Sequence, residues 1–81
     1  MHLPPIRQLQ YLVALRDTEH FGNAAKQVNV TQSTLSTGIK ELERSLGVTL
    51  VERTNKSVCF TALGRQIADR SRYIIMQAED L

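Results

Sequence analysis

FGNAAKQVNVTQSTLSTGIKELERSLG, from Phe21 to Gly47, is the stretch whose reading decides the fold. A short helix is expected from about Gly22 or Asn23 to Val28. It contains Ala24 and Ala25, small residues that let another helix approach closely. Asn29-Val30-Thr31 is a tight break. Asn tolerates the left-handed conformation that ends a helix, and Thr is a good N-cap for the next. A longer helix then runs from Gln32 to about Leu46. Leu35, Ile39, Leu42 and Leu46 recur at spacings of four, three and four, which predicts one buried stripe. Gly47 is the expected C-terminal cap.

The opposite face of this helix carries Gln32, Ser33, Ser36, Thr37 and Lys40. All but Lys40 are neutral, and all of the neutral ones both donate and accept hydrogen bonds. Two readings are open. One is the solvated face of an ordinary amphipathic helix. The other is a face built to lie close to the base edges of a DNA duplex, where short hydrogen-bonding side chains suit the major groove. A plain solvated face is usually rich in Lys and Glu, which favour helix. Ser and Thr favour it less, and mid-helix Gly38 costs about 1 kcal/mol relative to Ala. Propensity given up in the front half, then regained in IKELERSL, favours the second reading.

Outward from this unit the chain stays regular. Pro4 and Pro5 suit the entry to a first helix. Ile6, Leu9, Leu12 and Val13 follow at helical spacing, with Asp17 to His20 breaking the pattern, so a helix is expected from Ile6 to Thr18. After Gly47, LVER (Leu50 to Arg53) and VCFT (Val58 to Thr61) flank the polar turn Thr54-Asn55-Lys56-Ser57, which predicts a β-hairpin. Arg53 and Lys56 near its tip are either two solvated cations or the phosphate-facing charges of a wing. A last helix, capped by Thr61, is expected to reach the end. Phe60, Ile67, Ile74 and Leu81 recur every seven residues, beside a small-residue row of Gly64, Ser71 and Ala78. Such a repeat packs against another helix. A helix of about 20 residues spans roughly 30 Å, longer than so small a core. A second subunit is therefore the favoured partner over the helix's own domain.

Composition sets the outer limits. Eighty-one residues with 42% hydrophobic and 22% charged describe one small soluble domain. A chain this short buries only about 60% of its unfolded surface, too little for a deep active site in most folds. The net charge of +2 and pI near 9.0 agree with nucleic-acid binding without pointing to it. Cys59 is the lone cysteine, so no internal disulfide forms, and the thiol is expected to be inert. No apolar run nears the roughly 20 residues of a membrane span, and MHLPPIRQLQ lacks a signal-peptide core, so a cytoplasmic location is expected. His2 and His20 lack metal-ligand spacing with Cys59, so no metal site is expected. No Gly-rich phosphate loop or nucleophile–base–acid set occurs, so neither a cofactor nor an enzyme is expected. Two functions compete: sequence-specific DNA binding, and a winged-helix protein-interaction module that never touches DNA. The polar Gln/Ser/Thr face argues against the second.

The sequence resembles the N-terminal domain of LysR-type transcriptional regulators over almost its whole length. The matching residues are Leu9, Phe21, Ala24-Ala25, TQSTLS from Thr31 to Ser36, IKELE from Ile39 to Glu43, Leu46-Gly47, LVER from Leu50 to Arg53, Thr61 and Gly64. The QSTLS and GIKELE wording resembles the peroxide-responsive (OxyR-like) branch. The resemblance implies a mainly α winged helix-turn-helix over residues 6–63, with its helix-turn-helix at about 23–42 and its wing at about 50–60. It implies a linker helix at 61–81 that pairs with a second subunit, and an effector-binding domain lying beyond these residues. Family DNA contacts then fall on Thr31, Gln32, Ser33, Ser36, Thr37 and Arg53, with Thr34, Lys40 and Lys56 beside them. The pairing face falls on Ile67, Ser71, Ile74, Ala78 and Leu81. The implied partners are double-stranded DNA and a second copy of the chain, with tetramers in the full-length protein. The sequence departs from the common pattern at Ser33, Thr37 and Gly38, where many members have Pro, Arg and Gln. Gly22 stands where Ser or Thr usually opens the second helix, and Val51 replaces the usual Phe. Without the Arg at position 37, a bidentate guanine contact is lost.

Overall fold

The computed structural model describes residues 3–54 and 57–81. Among these, four helices and one antiparallel hairpin follow in the predicted order: α1 (Ile6–Thr18), α2 (Phe21–Gln27), α3 (Gln32–Leu46), β1 (Val51–Arg53), β2 (Val58–Phe60) and α4 (Ala62–Glu79). The hairpin pairs Val51 with Phe60, Glu52 with Cys59 and Arg53 with Val58.

The helix limits come from local chemistry. Pro5 stands extended at the N-cap of α1, and Glu19, at φ 53°, closes it by donating its N–H to the Leu15 carbonyl. The helix-turn-helix break is as predicted: Asn29 takes φ 59°, and the Val30 N–H returns to the Ala25 carbonyl at 3.0 Å. Thr31 Oγ1 accepts the Thr34 N–H at 3.1 Å and starts α3. Thr61 Oγ1 accepts the Gly64 N–H at 2.8 Å and starts α4. The second helix begins earlier than its composition predicts, at Phe21. Its cap is His20, whose Nδ1 accepts the Asn23 N–H at 3.0 Å. An imidazole nitrogen here does the work that a Ser or Thr hydroxyl usually does. Each hairpin strand is one residue shorter than predicted: the Thr61 N–H still reaches the Leu50 carbonyl at 3.0 Å, but the Leu50 N–H goes to Glu43, and Thr61 serves as the N-cap of α4.

The core gathers Leu9, Leu12 and Leu15 of α1, Ala24 and Ala25 of α2, and Leu35, Ile39 and Leu42 of α3. Leu50, Val51, Phe60 and Ala68 close it from the hairpin and α4. Leu46, expected in the stripe, is 39% exposed. The chain reverses at Gly47, and the last turn of α3 is left without full cover. Gly38 is buried, and a Cβ there would sit 2.5 Å from Tyr11 Cδ2. Its mid-helix place therefore meets a packing requirement of α1 on α3, which its low helix propensity alone did not reveal.

The hairpin is tied back to α3 by Glu43. Its Oε2 accepts the N–H groups of Leu50 at 2.8 Å and Val51 at 3.1 Å.

α4 lies along α1. Gly64, Ala68 and Ser71 are buried, and Ile67 and Ile75 pack on the core. At Gly64 a Cβ would run into the Leu50 carbonyl. Ser71 Oγ donates to the Ile67 carbonyl at 2.7 Å, which satisfies a buried hydroxyl. Farther along, Arg72 grips Asp17 with Nη2 at 2.5 Å from Oδ1 and Nη1 at 3.2 Å from Oδ2. The seven-residue row is thus divided. Phe60 and Ile67 serve the chain's own core, while Ile74 and Leu81 are exposed. Ser71, assigned to the pairing face, is buried inside the domain, and Gly64 with it. Heptad spacing identified a packed helix but not which neighbour packs on it.

Candidate nucleic-acid interface

α3 is held by α1 and α2 through Leu35, Ile39 and Leu42, which turns its opposite face outward. Gln32, Ser33, Thr34, Thr37 and Lys40 are exposed there, and Ser36 is half-buried among them. No charged residue occurs between Thr31 and Ile39, so the front of α3 is a neutral hydrogen-bonding surface. Thr31 is exposed as well, but its hydroxyl is occupied. It caps α3 and also donates to Thr34 Oγ1 at 2.8 Å. The two threonines therefore form one small network at the tip of the helix.

The wing meets this face from one side. Arg53, at the end of β1, donates from Nη1 to Ser36 Oγ at 3.1 Å. Its guanidinium carbon lies 5.0 Å from the Phe21 ring centroid, at the start of α2. Two residues assigned separately to the interface are thus bonded to each other. Lys56, the other wing cation, lies outside the described residues, as does His2. On the other side, a groove between α1 and α3 is lined by Arg7, Gln10 and Tyr11 and by Thr34, Thr37 and Gly38. Arg7 and Phe21 are the neighbours of this surface whose part the sequence reading missed. Phe21 stood within the deciding stretch, but nothing local linked it to Arg53, 32 positions away.

The remaining assigned residues fall on α4. Ile74, Ala78 and Leu81 are exposed, with Tyr73 and Met76 beside them. Cys59 is exposed on β2, opposite Glu52. Among the described residues no group of three or more His, Cys, Asp or Glu is placed to hold a metal ion. Among them also, no helix is long and apolar enough to cross a membrane.

A support helix, a tight turn, an exposed second helix and an adjoining β-hairpin define a winged helix-turn-helix domain. The chain belongs to the lysR family of bacterial regulatory helix-turn-helix proteins, which its residues 6–65 match. It is 54% identical to the HTH-type transcriptional regulator EstR of Acinetobacter baylyi over 98% of this chain and 26% of that protein. Full-length OxyR of Pseudomonas aeruginosa superposes with a TM-score of 0.92 at 38% identity, over 98% of this chain and 26% of that one. The DNA-binding domain of CbnR, solved as a complex with DNA, superposes with a TM-score of 0.89 at 32% identity, over 94% of this chain and 87% of that one. The chain spans about a quarter of the length of the curated relatives it matches.

Proposed function

We propose that this chain is the sequence-specific DNA-binding part of a LysR-type transcriptional regulator acting in the bacterial cytoplasm. α3 enters the major groove by its N-terminal half, and the wing lies on the flanking backbone or minor groove. The observation that supports this best is the neutral face of Gln32, Ser33, Ser36 and Thr37, held outward by the buried Leu35, Ile39 and Leu42. Gln32 matches the paired donor and acceptor of adenine, and the hydroxyls suit several base edges or a phosphate. Arg7, Lys40 and Arg53 flank that face and supply the charge for phosphates. The likeness to the CbnR domain, solved as a complex with DNA, supports DNA binding by this chain.

The chain works as a homodimer through the exposed part of α4, with Ile74 and Leu81 as its apolar contacts. Two copies set α3 helices in grooves one helical turn apart. The unit at 6–63 reads DNA, and 61–81 links the subunits. Full-length tetramers would bring four such units to paired sites.

Selection of bound duplexes from a random pool, with this chain as bait, tests the proposal. A recurring sequence is expected, with affinity that falls as salt rises. A Gln32→Ala variant should lose preference for that sequence while keeping most nonspecific binding. A pool that emerges without enrichment would sink the proposal.

A further inference from the structure

We infer that Arg53 is a positioning residue for Ser36, and that this pairing makes Ser36 select one kind of base edge. The inference rests on the DNA-reading function proposed above.

Three elements meet at this point. Arg53 ends β1, Phe21 begins α2, and Ser36 stands one turn into α3. The ring of Phe21 offers its face to the guanidinium at 5.0 Å, a cation–π distance that holds the planar group in place. From there Nη1 donates to Ser36 Oγ at 3.1 Å. Ser36 lies four residues after Gln32 and three after Ser33, on the same helical face.

A serine hydroxyl has one proton and two lone pairs, and alone it reads base edges indiscriminately. Here one lone pair is taken by Arg53. The adjacent positive charge also opposes the approach of a second donor. The second lone pair is left beside that charge, where another donor is disfavoured, so Ser36 faces the groove through its hydroxyl proton, as a donor. Donors match guanine O6 and N7, adenine N7 and thymine O4; they clash with the amino group of cytosine. A wing residue thereby sets a base preference through its partner on α3. Arginine has five N–H donors, and Ser36 uses one. The others stay available to a phosphate, so this role adds to backbone grip.

Binding selections and competition measurements on the wild-type chain, Ser36→Ala, Arg53→Met, Arg53→Lys and the Ser36→Ala/Arg53→Met double variant test the inference, with thermal unfolding as a check on each. Wild-type sites should exclude cytosine at one position. Ser36→Ala should relax that exclusion by on the order of tenfold, in line with single mismatch penalties. Arg53→Met should relax the same position and leave the preferences elsewhere unchanged. Adding Ser36→Ala to Arg53→Met should then change the ratio by less than about twofold, the mark of coupled residues. Arg53→Lys keeps the charge but lacks the planar fork that rests on Phe21. It should keep the wild-type salt slope and still lose the exclusion, and it serves as the test if Arg53→Met fails to fold.

Equal effects of Ser36→Ala in both backgrounds would overturn the inference. So would Arg53 variants that weaken all duplexes alike with the base preference intact. A wild-type chain that enriches no sequence removes the DNA-reading function and this inference together. Enrichment without coupling removes this inference alone.

Discussion

Tyr11 packs its ring directly on the backbone of α3 at Gly38, where an added Cβ would lie 2.5 Å from Tyr11 Cδ2. Two effects oppose each other at this position. Gly38→Ala gains about 1 kcal/mol of helix propensity. It also forces a methyl group into a buried aromatic contact, and overpacking costs roughly 1–3 kcal/mol. Tyr11 is only 5% exposed and has little room to retreat, so the clash should win. Gly38→Ala is expected to lower the urea midpoint, with a net stability loss of about 1 kcal/mol. Adding Tyr11→Leu should return part of it. A raised midpoint in Gly38→Ala would show that the glycine is kept for another reason.

Glu43 joins α3 to the wing through two backbone N–H groups, those of Leu50 and Val51. Glu43→Ala would strand both, and an unsatisfied buried donor costs roughly 1–3 kcal/mol. Glu43→Gln keeps an acceptor oxygen and should lose less. Amide hydrogen exchange at Leu50 and Val51 should quicken in Glu43→Ala more than exchange in α1. Uniform quickening across the chain would instead mean that Glu43 supports global stability with no special hold on the wing.

Arg72 and Asp17 form a two-pronged pair between α4 and α1, each side chain about two-fifths exposed. Hydrogen bonding to Asp17 raises the Arg72 pKa above its ordinary value, with charge attraction to Asp17 and Asp69 adding to it and partial burial opposing it. A raised pKa on a cation stabilises the fold below the unfolded value, and that stability is lost only as pH rises through the folded value. For arginine both lie at the strongly alkaline end, so Arg72 should add no pH dependence across the neutral range. Solvent screening keeps the pair's worth to about 1 kcal/mol or less. Asp17→Asn should cost no more than that, and the cost should shrink in about 1 M salt. Thermal unfolding with and without salt measures both.

Ile74 and Ser71 were assigned to one pairing face, yet Ile74 is 47% exposed and Ser71 is 1% exposed. Their substitutions should separate. Ile74→Glu should leave the monomer's thermal midpoint nearly unchanged and shift sedimentation equilibrium toward monomer. Ser71→Leu should lower the midpoint by overpacking, roughly 1–3 kcal/mol. A midpoint loss in Ile74→Glu at concentrations where the chain is monomeric would place Ile74 in the domain's own packing.

Some of this was open in the residues themselves. Asn29, Thr31, Gly47 and Thr61 act on neighbours three or four positions away, so the ends of α3 and the start of α4 could be read along the chain. His20 escaped that reading because an imidazole is an uncommon cap, although its partner Asn23 is also local. The outward face of α3 was legible too, because Leu35, Ile39 and Leu42 dictate which side is buried.

What the sequence determined by itself is the order of elements, their caps and the neutral chemistry of the α3 face, because each depends on contacts within about one helical turn. The tertiary structure alone decided the meaning of Gly38, Glu43, Arg53 and Ser71. Arg53 and Ser36 stand 17 positions apart, and Arg72 and Asp17 stand 55 apart. Periodicity says that a face is covered, but the covering element is chosen by how helices and hairpin close around one core. That closure put Tyr11 on Gly38 and buried Ser71, and it brought the wing arginine onto the serine of the reading helix.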